Sequence, residues 1–246
     1  MRFFSILAAC TVAAFPVFAQ ADYSTGFETV EGYTVGNLNG QNDWVTNGTG
    51  ANFVKVSTAN PSSGSQHVRI TDNTGVSSGT VSLAFSPDTA LLPTDATLTT
   101  IDIAISALGG ADNDIVIQSP TQGFITAEVN FSYLGDIKVV DNTGSGPALV
   151  DTTANWTPGP YFKLGIAVDP TADSIKYYIN NSLIYTGVAG VFAGTFPEEV
   201  LMVNDNWQNP GETADFDNLS VSVVPEPAFA GLAVAGASLI LRRRRV

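Results

Sequence analysis

Apolar and polar residues alternate with a period of two through most of this chain, and that property limits its possible folds more than any motif does. The pattern is clear in FVKVST (53–58), HVRIT (67–71), TVSLAF (80–85), TLTTIDIAIS (97–106), DIVIQS (114–119) and FITAEVNFSYL (124–134). It recurs in DIKVVD (136–141), YFKLGIAVD (161–169), SIKYYINNSLIYTG (174–187), EVLMVND (199–205) and ADFDNLSVSVV (214–224). Successive side chains of a strand point to opposite faces, so each run reads as a strand with one buried face. Val, Ile, Thr, Tyr and Phe dominate these runs, and such side chains pack well on a pleated surface. Between them stand turn formers: DNTG at 72 and again at 141, NPSSGS, SPTQG, DPTADS and NPG. No body segment of about twelve residues or more carries a helical period. About eleven short strands therefore predict an all-β fold, a two-sheet antiparallel jelly-roll sandwich. No fixed repeat is present, which excludes a solenoid or propeller.

The two ends depart from this pattern. The N-terminus, MRFFSILAACTVAAFPVFAQADYS, has a single early positive charge at Arg2, an uncharged apolar run to Phe18 and Ala19-Gln20-Ala21. That order reads as a secretory signal peptide over residues 1–21, with Ala19 and Ala21 marking the cleavage site and signal peptidase as the implied partner. LAAC (7–10) resembles a bacterial lipoprotein box, but there the apolar run would end at the cysteine, and here it continues through Phe18. Cys10 is the only cysteine, so the mature chain has no disulfide, thiolate nucleophile or cysteine metal site.

The C-terminus, VPEPAFAGLAVAGASLILRRRRV, joins Pro225-Glu226-Pro227 to an uncharged stretch and then to Arg242, Arg243, Arg244 and Arg245. As a helix, residues 228–241 would reach ~21 Å, short of a ~30 Å bilayer core. The arginines fix orientation, with the charge kept in the cytoplasm and the body outside. The tripartite order resembles the PEP-CTERM sorting signal. That resemblance implies a sorting signal over residues 225–246, made of the PEP motif, a short transmembrane helix and the Arg cluster, with transient residence in the inner membrane and cleavage by an exosortase-type transpeptidase. The expected products are a surface or extracellular-matrix protein and a body domain spanning residues 22–224.

The formal net charge is −13, and five of the ten basic residues lie in the terminal segments. The body is more acidic still, which repels nucleic acid and anionic surfaces and leaves neutral polymers and cations as partners. The unit YFKLGIAVDPTADSIKYYINNSLIYTG (161–187) pairs an Asp-containing turn with a tight hairpin at Asn180-Asn181. It resembles the concanavalin A-like family, in particular laminin-G-like jelly rolls, with Asn-Asn where Asn-Gly is usual. GFETVEGYTVGNLNGQNDW (26–44) and ADFDNLSVSVV resemble the opening and closing strands of such domains. The resemblance implies that first and last strands pair, and that a structural Ca²⁺ is held there by Glu28 and Asp217, with Asp215 or Asn218 assisting.

Catalysis finds little support in the sequence. Laminarinase-like relatives carry E-x-D-x-x-E on one strand; here Glu128 stands alone, with Asn130 and Tyr133 in the other two places. His67, the only histidine, sits in an alternating strand with no nucleophile or orienting partner marked. Sugar binding is the better candidate, because flat aromatic faces and amide or carboxylate groups recognise neutral polysaccharides. Trp207 beside Asp205 in NDNWQNPGE is the leading candidate, followed by Trp156 and Trp44 in polar settings. The chain thus reads as an exported, non-catalytic surface or matrix protein with extracellular polysaccharide as the candidate ligand. The alternatives are a purely structural or adhesive envelope protein and, third, a glycan-active hydrolase.

Overall fold

The computed structural model describes residues 21–71, 79–92, 94–188, 192, 194–206 and 212–224. These form two antiparallel sheets packed face to face, with 3-10 turns at Thr29–Glu31 and Ala51–Phe53. The first sheet runs, edge to edge, through β14 (Ser182–Gly187), β13 (Ser174–Ile179), β12 (Phe162–Asp169), β7 (Thr97–Ile105), β16 (Thr213–Val223), β5 (His67–Thr71), β4 (Val54–Ser57) and β2 (Gly36–Asn37). β1 (Ala21–Thr25) pairs with the C-terminal half of β16, so the first and last strands meet as expected. The second sheet runs through β11 (Pro147–Asn155), β10 (Asp136–Asn142), β9 (Phe124–Phe131), β8 (Ala111–Ser119), β15 (Glu199–Asn206), β6 (Thr80–Phe85) and β3 (Val45–Asn47).

The period-two runs place one residue set between the sheets. From the first sheet come Ile101, Ile103, Ile105, Leu164, Ile166, Phe216, Val68 and Ile70; from the second come Ile115, Ile117, Val129, Phe131, Ile137, Val139 and Met202. Phe131 and Phe162 bridge the sheets with ring centroids 5.1 Å apart. Burying a side chain of this size contributes about 1.5–3 kcal/mol, and the summed core holds the sandwich closed without disulfides.

Two local predictions can be compared with the backbone. Asn180 and Asn181 have φ of 50° and 66°, and Ile179 pairs with Ser182, which makes a two-residue type I′ hairpin. β11 has no counterpart among the predicted runs. Its first residue is Pro147 and only Thr152 along it is buried, so an edge strand here carries no apolar alternation. The signal segment through residue 20 and the C-terminal segment from Pro225, including the two helices expected there, lie outside the described residues. Among the described residues no helix is long and apolar enough to cross a membrane.

Candidate functional site

The outer face of the seven-stranded sheet carries a cluster of acidic and amide side chains. On β8, Asp112, Asp114 and Val116 alternate with the core residues Asn113, Ile115 and Ile117. Register sets Asp114 opposite Asn130 of β9 on one side and Val203 of β15 on the other. Asp112 lies opposite Asp205, and Val116 lies between Glu128 and Leu201. Four carboxylates and one amide from three neighbouring strands therefore share one strip. Beside it runs an apolar row, in which Val116, Leu201, Phe85 and Val45 pair in turn across β8, β15, β6 and β3. At the β3–β6 edge this row opens into a groove of about 670 Å³ bordered by Asp43, Val45, Phe85, Pro87, Asp88 and Glu199.

The strip's hydrogen bonding is partly internal. Asn130 Nδ2 donates to Asp114 Oδ1 at 2.6 Å, and Asp112 Oδ1 accepts from the Tyr133 amide at 2.8 Å. Asp205 Oδ1 is buried and has no partner among the described residues. Burial pushes the Asp114 carboxyl up from an ordinary 3.8 to about 7, and the charges of Glu128, Asp112 and Asp205 add to this against the Asn130 hydrogen bond. Burial also raises Glu128. At neutral pH the strip thus offers carboxylate acceptors, one carboxyl able to donate, and an amide.

Glu128 lacks a carboxylate partner along its own strand, but the fold supplies Asp114 from the adjacent strand. Only Asp205 and Glu128 of this group were singled out by sequence; Asp112 and Asp114 were missed. Their signal was the alternating D-x-D of ADNDIVIQS, which has no meaning until the strand pairing is known.

The structure turns two of the three tryptophans inward, correcting their assignment to a binding face. Trp44 is 0% exposed, donates its indole N–H to Tyr33 Oη at 2.9 Å and packs on Phe27 at 5.5 Å. Trp156 is 4% exposed and donates to the Ser132 carbonyl at 3.0 Å. A stacked sugar needs an open ring face, and neither indole has one. Trp207 lies outside the described residues, as do Pro225, Glu226, Pro227, Arg242 to Arg245 and Ala19. Ala21 opens β1, with its backbone opposite Ser222.

The second carboxylate group lies on the outer face of the nine-stranded sheet, under residues 60–66. Asp215 accepts from Arg69 Nε at 2.6 Å, Arg69 Nη2 at 2.8 Å and Asn60 Nδ2 at 2.9 Å, and its Oδ1 lies 3.1 Å from His67 Nε2. Burial alone would raise Asp215, but these partners outweigh it and hold the carboxyl below its usual value. His67 thus has an orienting carboxylate that its sequence neighbours did not reveal. Its ring is 0% exposed and its Nδ1 has no partner among the described residues, so it is sealed away from any substrate.

Glu28 and Asp217 converge on this same loop. Glu28 Oε1 accepts the amides of Ser65 at 2.8 Å and Gln66 at 3.0 Å, and its Oε2 accepts Ser65 Oγ at 2.7 Å. Asp217 Oδ2 accepts the amides of Ser62 at 2.9 Å and Ser63 at 3.1 Å, and its Oδ1 accepts the Asn218 amide at 2.8 Å. Asn218 Oδ1 accepts Ser63 Oγ at 2.9 Å. Ca²⁺ takes six to eight oxygen ligands. Here every oxygen of the expected ligands faces an N–H or O–H donor, and among the described residues no three acidic, histidine or cysteine side chains converge as a metal set. The residues do not fit the ion.

No family model and no curated protein matches this chain. Several solved structures share its fold. One titled sialidase aligns at 9% identity over 74% of this chain and 17% of its own, with a TM-score of 0.53. A Bacillus subtilis protein of unknown function with a galectin-like fold aligns at 11% identity over 82% and 94%, with a TM-score of 0.52. The binding domain of Paraclostridial Mosquitocidal Protein 1 aligns at 12% identity over 86% and 51%, also at 0.52. The chain spans less than two thirds of the first and third of these. The galectin-like β-sandwich fold agrees with the jelly-roll expectation.

Proposed function

We propose that this chain is an exported, non-catalytic glycan-binding domain of the cell surface or extracellular matrix, engaging a neutral polysaccharide with the outer face of its seven-stranded sheet. The observation that carries the reading is the strip of Asp112, Asp114, Asn130, Glu128 and Asp205 beside an apolar row. Sugar hydroxyls pair with carboxylate and amide groups, and the C–H faces of a pyranose lie against apolar side chains. The strip's negative charge selects against uronate or sulfated chains. The similar structures include one titled as a binding domain and one with a galectin-like fold, which agrees with this reading. Trp207, two residues beyond Asp205, keeps its candidate role.

In this proposal the leader ending at Ala21 is removed by signal peptidase. The tail, transiently in the inner membrane, is then cut near Pro225 by an exosortase-type enzyme. Intact-mass measurement of the exported protein tests that part, and a retained arginine cluster would contradict it.

A glycan array tests the binding. The wild type should bind neutral polysaccharides and not uronate polymers, and Asn130→Ala should lose the signal. A blank array would favour the structural or adhesive reading. A second reading, glycan hydrolysis, draws on Asp114 and Glu128: a carboxyl that titrates near 7 beside a second carboxylate is the pairing a glycosidase uses. Reducing-sugar release by the wild type, lost in Glu128→Gln, would replace the binding reading with this one.

A further inference from the structure

The Asp102–Asp217 pair raises a problem that the neighbouring loop resolves. These two residues lie directly opposite each other on β7 and β16, both on the outer face of the sheet. Like charges facing across a ladder destabilise it. Both carboxylates are also largely shielded from water, at 9% and 0% exposure. A sheet carrying this pair, with Asp215 and Glu28 nearby, needs positive charge or a dense set of donors over it.

Residues 60–66 supply the donors. Ser62 Oγ donates to Asp102 Oδ2 at 2.9 Å, and the Ser62 amide donates to Asp217. Asn218 Nδ2 adds 2.8 Å to the same Asp102 oxygen, and Lys163 Nζ stands 3.4 Å from the other. Further along, the Ser63, Ser65 and Gln66 amides reach Asp217 and Glu28. At the loop's start, Asn60 donates to Asp215 while its carbonyl accepts from Tyr161 Oη at 2.7 Å. Gly64 completes the fit: its φ is +63°, and a Cβ there would lie 2.1 Å from Glu28 Oε1.

We propose that residues 60–66 take the place of a structural cation: the loop's own N–H and O–H groups, beside Arg69 and Lys163, solvate the carboxylates of β1–β16 and β7, and this end of the sandwich is held independently of divalent metal. The loop bridges Glu28 next to β1, Asp102 in β7, and Asp215 and Asp217 in β16, four positions that a bound ion would otherwise have to tie together. Burial raises the Asp217 carboxyl, and the amides of Ser62, Ser63 and Asn218 offset that rise in part.

The test uses the full exported protein. Thermal melts in 5 mM CaCl₂ and in EGTA should agree within about 1 °C, and terbium luminescence should show no saturable binding. Ser65→Ala, which removes one donor to Glu28, should lower the melting temperature by about 2–4 °C in both buffers. A calcium-dependent rise in the wild-type melting temperature, or saturable terbium binding lost in Asp217→Asn, would overturn the proposal. So would a Ser65→Ala protein restored to the wild-type melting temperature by calcium. The wild-type melts decide the question even where a variant fails to fold.

Discussion

Tyr185 Oη donates a 2.8 Å hydrogen bond to Asp141 Oδ2, and this bond links edge regions of the two sheets, β14 of one to β10 of the other. Asp141 Oδ1 also accepts the Val188 amide at 3.1 Å. Tyr185→Phe keeps the ring against Tyr177, 6.2 Å away between centroids, and removes only the hydroxyl. The expected loss is about 1 kcal/mol in urea unfolding, with an unchanged m-value.

Gly187 lies under the same carboxylate, where an added Cβ would stand 3.1 Å from Asp141 Cγ and Oδ1. Gly187→Ala should push Asp141 away from the Tyr185 and Val188 donors and cost about 1–3 kcal/mol. Combined with Tyr185→Phe, the effects should fall short of additive, because both act through Asp141. A double-mutant cycle reads this out.

Arg69 and Asp215 form a pair on the outer face of the larger sheet, with the Asp215 side chain 3% exposed. Arg69→Met leaves a buried carboxylate with only His67 and Asn60, and should destabilise by about 3 kcal/mol in chemical denaturation. Arg69→Met with Asp215→Asn should recover part of that loss.

The Asp114 carboxyl, raised from 3.8 to about 7, makes stability depend on pH. Between these values the folded chain holds a proton that the unfolded chain releases. Its stabilising contribution is therefore full below about pH 4 and is lost as the pH rises through 7. Asp114→Asn should flatten the melting-temperature profile across this window, and the gap between variant and wild type should be widest above pH 7.

At the β13–β14 turn, Asn181 holds a φ of 66°. Asn tolerates this region and β-branched residues do not. Asn181→Val should cost about 1–2 kcal/mol, while Asn181→Gly should be neutral or slightly stabilising. Thermal melts of the two variants check the ordering.

The strands were legible where one face is buried and the other is wet. β5 and β6 have the bounds their alternation predicted, His67–Thr71 and Thr80–Phe85. On β7 and β16 the alternation alone carries no sign that Asp102, Asp215 and Asp217 are covered by residues 60–66. The tryptophans misled in the opposite direction, because polar neighbours in sequence say nothing about which way an indole turns. The acidic strip was hidden for a topological reason. Asp114 and Asp205 come together only when β8 and β15 pair, and sequence spacing carries no record of that register. His67 and Asp215 likewise meet across 148 residues.

The pairing of β1 with β16 also has a mechanical meaning. Tyr23 lies opposite Val221, so the backbone enters and leaves the domain side by side. Tension applied between those two points would load the ladder one rung at a time, peeling β1 away as a zipper opens. The rest of β16 would stay clamped between β5 and β7. A load carried from one end to a ligand on the far sheet would instead pull along many bonds at once. The domain should therefore yield readily between residues 23 and 221 and resist when pulled from either end against its seven-stranded sheet.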